Sequence, residues 1–201
     1  MRRLSTRLEG PVLIEPDVHG DERGFFVETF RRELQGALGM DETLEFVQDN
    51  HSRSRRGVVR GMHFQVAGDL AKLVRCARGE VYDVVVDLRR GSPTYGQWEG
   101  FALDDVALRQ LYVPVGFAHG FCTVSEVADV IYKQTAYYDP GLERSIAYDD
   151  PDLAIAWPVP EGELAASARD AGAPRLDEIA DELPFSYRAA SSAGPGGSGR
   201  S

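Results

Sequence analysis

Apolar positions along the first 160 residues come in short runs of β-branched, aliphatic and aromatic side chains cut by Gly, Pro and Asp, the pattern of many short strands. Runs at 12–14, 25–30, 44–48, 58–64, 72–77, 81–88, 98–103, 108–113, 117–124 and 130–138 are the predicted strands. Their near-even spacing predicts an antiparallel sandwich or barrel. A short helix is expected over 31–38, stopped by Gly39, and short helices are expected from Glu161 onward, where the strand pattern fades. Residues 189–201 are mostly Ala, Ser, Gly and Pro with one arginine, too poor in apolar side chains to offset the entropy of ordering, so a disordered tail is expected there. No internal repeat is visible.

At 201 residues and 43% hydrophobic content the chain can bury one good core, and residues 1–188 are read as one domain. A net charge of −10 argues against a nucleic-acid partner, because phosphate backbones attract basic faces. A phosphate-bearing ligand must therefore meet locally gathered arginines. No stretch approaches the roughly 20 consecutive apolar residues of a membrane helix, and Met1-Arg2-Arg3 is not followed by a secretory apolar run, so a cytoplasmic protein without a membrane partner is expected. Cys76 and Cys122 lack C-x-x-C spacing and read as reduced buried thiols.

Four histidines, at 19, 51, 63 and 119, form no H-x-H or H-x-x-x-H pair, which weakens a metal reading without removing a site built from scattered ligands. The segments Gln48-Asp49-Asn50-His51-Ser52 and Arg60-Gly61-Met62-His63-Phe64-Gln65 place polar groups where strands are otherwise apolar. They are either edge-strand polar residues or the lining of a cavity. Gln48 and Asn50, two apart, share a strand face; Arg60 and His63, three apart, share one only if the strand bulges near Gly61. Lys72 opens a strand and reads by itself as a solvated charge, while Tyr132, Gln134, Ala136 and Tyr138 fall on one face of another. His119, before Gly120, reads equally as a satisfied core histidine.

Six separated motifs occur in order: Asp21 to Glu28, Val47 to Ser52, Val58 to Gln65, Ser92 to Trp98, Pro114 to Phe121, and Asp149-Asp150-Pro151 with Trp157-Pro158. With them the chain resembles the deoxythymidine-diphosphate (dTDP)-4-dehydrorhamnose 3,5-epimerase family from about Leu8 to Leu183. The resemblance implies an all-β double-stranded β-helix, the cupin-like jelly roll, assembled as a homodimer. It implies His63 as general base, Tyr132 as general acid, Asp170 as the carboxylate that orients the histidine, and Lys72 as the group that steadies an enolate oxygen. Arg23, Glu28, Gln48, Asp49, Asn50, Arg60, Lys72, His119, Glu143 and Arg169 match positions that hold the nucleotide sugar, and Phe26 and Tyr138 match aromatic residues flanking the thymine. Arg169 stands where some relatives carry lysine. Asp83, within a predicted strand, is an alternative orienter of His63.

These residue types suit the implied chemistry. A ketone at C4 of the sugar acidifies the hydrogens on C3 and C5, since either carbanion delocalises onto the carbonyl oxygen. An imidazole with an ordinary pKa of about 6.5 accepts such a proton near neutrality, and a phenol near 10 remains able to donate one. An ammonium beside the developing oxyanion stabilises charge that is larger in the transition state than in the substrate. No metal or cofactor is expected. Inversion at C3 alone or C5 alone is the alternative among enzymes, and a sugar-binding module without catalysis the alternative outside them.

Overall fold

The computed structural model describes residues 1–188. The tail expected to be disordered, 189–201, lies outside the described residues. Thirteen strands among those described carry the fold: β1 Arg2–Leu4, β2 Val12–Glu15, β3 Val18–Asp21, β4 Gly24–Val27, β5 Gln48–Arg55, β6 Val59–Gln65, β7 Lys72–Arg78, β8 Glu80–Asp87, β9 Trp98–Asp104, β10 Gln110–Val113, β11 Phe117–Thr123, β12 Val127–Gln134 and β13 Glu143–Ser145. Six form a sheet in the order β1-β2-β10-β7-β12-β5, five form a second in the order β13-β6-β11-β8-β9, and β3 with β4 makes a separate hairpin. From β5 to β13 the chain passes back and forth between the two sheets, pausing only at the β8–β9 hairpin. That winding is the double-stranded β-helix of the cupin-like jelly roll.

The inward positions change character along the strands. At one end Val74, Cys76, Val81, Val85, Phe101, Leu103, Leu111, Ala128 and Val130 interdigitate as a dry core between the sheets. At the other end the same faces of β5, β6, β7, β11 and β12 carry Ser52, Arg60, His63, Lys72, His119 and Tyr132, and there the sandwich opens into a cavity. The outer face of the five-stranded sheet is also apolar (Met62, Phe64, Val84, Val86), and the C-terminal segment covers it with Ile146, Leu153, Leu176 and Leu183. That cover includes α2, Ala168–Ala171, and α3, Leu176–Ile179. It brings a remote stretch of chain to the cavity mouth.

The helix expected over 31–38 is a single 3-10 turn, Arg32–Leu34, followed by α1, Gln35–Leu38, which Gly39 ends in the left-handed conformation at φ 86°. The predicted strand at 44–48 is displaced: pairing begins at Gln48 and runs to Arg55. Its inward residues Gln48, Asn50, Ser52 and Ser54 alternate with exposed ones, so the burial period is present but polar side chains fill it. The strand expected at 130–138 is Val127–Gln134, so Ala136 and Tyr138 follow it in a loop. The run expected at 25–30 ends at Val27. β1, β3 and β13 escaped the apolar pattern because they are three or four residues long and none carries a buried side chain.

Arg60 and His63 do share a face. The β6–β11 pairing shifts register between His119, opposite His63, and Phe121, opposite Arg60. Two glycines permit that irregularity. A Cβ on Gly120 would sit 2.7 Å from the Arg60 carbonyl oxygen and 2.9 Å from the Gly61 Cα, so only hydrogen fits between these backbones. Gly120→Ala should therefore lower the unfolding free energy by about 1–3 kcal/mol, read as a lower denaturant midpoint at unchanged slope. An unaltered midpoint would contradict this packing.

Candidate active site

The cavity holds about 450 Å3 and is lined by Ser52, Arg60, His63, Lys72, His119, Phe121, Tyr132, Tyr138, Glu143, Ser167, Arg169 and Asp170. His63 projects from β6 of one sheet, while Tyr132 and Lys72 project from β12 and β7 of the other. Lys72 pairs in register with Gln134, two residues beyond Tyr132, so phenol and ammonium are near neighbours on one wall. The imidazole faces them from the opposite sheet.

Asp170 reaches His63 from α2. The His63 Nε2–H donates to Asp170 Oδ1 at 2.8 Å, which leaves Nδ1 as the basic ring nitrogen. Asp170 is buried, and its own amide is held by the Ser167 hydroxyl oxygen at 3.1 Å, the N-cap bond of α2. Asp83 does not orient His63. It is fully buried on β8, and both its oxygens accept from His119 Nε2, at 2.9 and 3.0 Å. Each cavity histidine thus owns one carboxylate.

Burial pushes the His63 imidazole below its ordinary value, against the Asp170 carboxylate, which pulls it up; nearby Lys72 lowers it and Glu143 raises it. Burial brings the Lys72 ammonium down to about 8, with Glu143 and Asp83 opposing. Tyr132 is raised, chiefly by burial and then by Glu143. At neutral pH the cavity therefore holds a neutral imidazole, an ammonium and a protonated phenol. This is a base, a cation and an acid around one space.

Tyr138, Glu143 and Arg169 form the rim. The Tyr138 hydroxyl donates to Glu143 Oε2 at 3.2 Å, and Arg169 Nη1 lies 2.6 Å from the same oxygen. Gln48 accepts from the Tyr138 amide at 3.0 Å and donates to Asn50 at 2.9 Å, which ties β5 to the rim without placing either side chain in the cavity lining. Arg60 is steadied by the Ser54 hydroxyl at 3.0 Å.

Six residues expected at the site lie outside the cavity lining: Gln48 and Asn50 beside its rim, and Asp49, Arg23, Phe26 and Glu28 elsewhere within the chain. Asp49 faces the opposite side of β5 from Gln48 and Asn50 and pairs with Lys133 at 2.8 Å, because strand alternation turns every second side chain away. Arg23, Phe26 and Glu28 belong to the β3–β4 hairpin and the loop after it, outside the cavity lining. Arg23 pairs with Asp21 and Glu28 with Arg31. Phe25 and Phe26 stand 60% and 71% exposed, far too open for aromatic side chains that belong to this chain's own core. Ser52, Phe121 and Ser167 were not foreseen as lining residues. The alternation on β5 is the available signal for Ser52, and the Ser167-Ala168-Arg169-Asp170 spacing, a helix N-cap pattern, is the one for Ser167.

Comparison with known proteins finds the chain similar to sugar-nucleotide epimerases. The dTDP-4-dehydrorhamnose 3,5-epimerase family model matches residues 5–178. The chain is 49% identical over 180 residues to a dTDP-4-dehydrorhamnose 3,5-epimerase of Salmonella typhimurium, covering 87% of this chain and 95% of the relative. It is 44% identical over 182 residues to a dTDP-4-dehydrorhamnose 3-epimerase of Streptomyces niveus, covering 86% and 87%. Among solved structures, a dTDP-6-deoxy-D-glucose-3,5-epimerase of Legionella pneumophila in complex with dTDP-4-keto-L-rhamnose superposes with a TM-score of 0.88 at 48% identity, covering 93% and 98%.

The charge states of the site fix the expected pH dependence. A base must be neutral and a cation charged, so kcat/KM should fall on the acid side below the ordinary imidazole value and on the alkaline side near pH 8, where Lys72 loses its proton. Lys72→Arg, which stays charged, should displace the alkaline limb upward even if the rate drops. An alkaline limb that does not move in this variant would remove Lys72 from the profile.

Proposed function

The chain belongs to the dTDP-4-dehydrorhamnose 3,5-epimerase family, and from that premise we propose how its cavity inverts C3 and C5 of dTDP-4-dehydro-6-deoxy-D-glucose to give dTDP-4-dehydro-L-rhamnose. The observation that carries the reading is the facing of His63 and Tyr132 across one cavity with Lys72 beside the phenol. His63 Nδ1 takes the proton from the carbon next to the C4 ketone. The electron pair of the broken C–H bond delocalises onto the C4 oxygen, where the Lys72 ammonium balances the new negative charge. Tyr132 returns a proton to the other face of the same carbon, and the carbonyl re-forms. Asp170 holds the tautomer and steadies the imidazolium that exists between the two transfers.

Substrate binding follows the same layout. Arg60 and Arg169 supply local positive charge for the diphosphate despite the net charge of −10, and His119 lines the same cavity. Tyr138 offers a half-exposed aromatic face for the base. Arg23, Phe26 and Glu28 reach a substrate only if they enter a neighbour's cavity, and we take the chain to act as a homodimer whose exposed hairpin completes the partner's nucleotide site. Residues 1–188 serve this chemistry as one domain, and the two buried free thiols, Cys76 and Cys122, suit a cytoplasmic setting.

Proton NMR of the keto sugar in heavy water, followed by reductive trapping, tests the roles. Wild type should exchange and invert both carbons. His63→Ala should slow exchange by about 100-fold or more, and Tyr132→Phe should keep exchange at one carbon or more while losing net inversion. Native exchange in the first variant would remove His63 as base; unchanged stereochemistry in the second would remove Tyr132 as acid. Trapped product inverted only at C3 would instead favour the reading suggested by the Streptomyces niveus relative. For the assembly, Arg23→Met and His63→Ala chains, each impaired alone, should regain activity on mixing as subunits exchange. No gain despite demonstrated exchange would overturn the shared site.

A further inference from the structure

Between the nucleotide end of the cavity and the catalytic base runs an unbroken chain of polar contacts. The Tyr138 hydroxyl meets Glu143 at 3.2 Å, Glu143 meets Arg169 at 2.6 Å, the Arg169 Nε lies 3.7 Å from Asp170 Oδ1, and that same oxygen holds His63 at 2.8 Å. Arg169 thus sits between two carboxylates, each close to the imidazole. Glu143 has little contact with solvent, its side chain being 15% exposed, so water screens its charge poorly. It faces the cavity from β13, which pairs with β6 so that Ser145 lies opposite His63 and Glu143 lies opposite Gln65.

We infer that Arg169 and Glu143 are positioning residues that form a charge switch between nucleotide and base: an anionic nucleotide that draws Arg169 away leaves Glu143 and Asp170 free to strengthen the hold of His63 on a proton. This rests on the reading of His63 as base given above. Before substrate enters, burial keeps the histidine weakly basic, and the Arg169 guanidinium beside both carboxylates offsets their pull on it. Once the diphosphate claims the guanidinium, the two negative charges act on His63 without that offset, and they also favour the ammonium of Lys72. The base is then strongest when a substrate is in place.

Other charged and titratable groups also face His63: Lys72 from β7, Tyr132 from β12, His119 from β11 and Arg60 from β6 itself. The directions of influence agree with the geometry. Glu143 raises His63, Lys72 and Tyr132 alike, and the hydrogen bond to Glu143 is the main reason that Arg169 is itself raised.

Only four histidines are present, so the His63 imidazole can be followed by NMR titration and identified by its loss in His63→Ala. In the free enzyme Glu143→Gln should lower its midpoint, Arg169→Met should raise it, each by about half a pH unit, and the double variant should fall between. Arg169→Lys, which keeps the charge, should stay near wild type and guards against a variant that merely distorts α2. Saturating dTDP should raise the midpoint more in wild type than in Glu143→Gln, the nucleotide's own charge being common to both. Shifts of the same sign in the two single variants, no shift in either, or an equal response to dTDP would overturn the switch. Loss of the switch with His63→Ala still abolishing exchange would leave the assignment of the base standing.

Discussion

The 2.8 Å contact between His63 and Asp170 joins positions 107 residues apart, and the proposed chemistry depends on it. A histidine buried alone would be too weak a base, because burial favours its neutral form. A carboxylate on the far side of the ring restores its appetite for a proton and decides which nitrogen carries it. Asp170 can do this only because the C-terminal segment folds back over the five-stranded sheet through Ile146, Leu153, Leu176 and Leu183. Apolar burial at that cover is what holds the acid half of the dyad in place, and the Ser167 cap fixes the last turn of its path. Core packing and catalysis are therefore linked through one short helix.

The sandwich serves the reaction by being two-sided. An inverting enzyme needs to remove a proton from one face of a ring and deliver one to the other, and two facing sheets supply opposed walls without any moving part. Along each wall the inward positions are apolar at one end and polar at the other, so the same strands build a rigid core and a reactive pocket. Lys72 illustrates the cost and the use of this arrangement. Its charge is destabilised enough to bring its pKa to about 8, and an ammonium held at such a poise responds strongly to a nearby oxyanion. Carboxylates at 83 and 143 keep it charged at neutral pH.

Much of the barrel was legible in the chain, because strands with an apolar inner face announce themselves: β6 to β11 fall close to their apolar runs. The strand that was misplaced, β5, is the one whose inner face is Gln48, Asn50, Ser52 and Ser54, polar because it approaches the cavity. The residues of the catalytic wall were named from motif resemblance, and no periodicity could have joined Asp170 to His63 or given Asp83 to His119. Asp49 was grouped with its neighbours by motif although alternation turns it outward toward Lys133. Arg23, Phe26 and Glu28 belong to one of the six motifs yet stand outside the cavity lining, since a motif records residue types in order and carries no distances. Local pattern finds the walls; contacts over a hundred residues of chain decide what the walls do.

The most direct test of the central claim is a crystal structure of the enzyme with a dTDP-sugar bound. The hexose ring should lie between His63 and Tyr132, with its C4 oxygen at hydrogen-bond distance from Lys72 Nζ and the basic nitrogen of His63 on the opposite face of the ring from the phenol. A ring bound outside this space, or His63 and Tyr132 on the same face of it, would contradict the account.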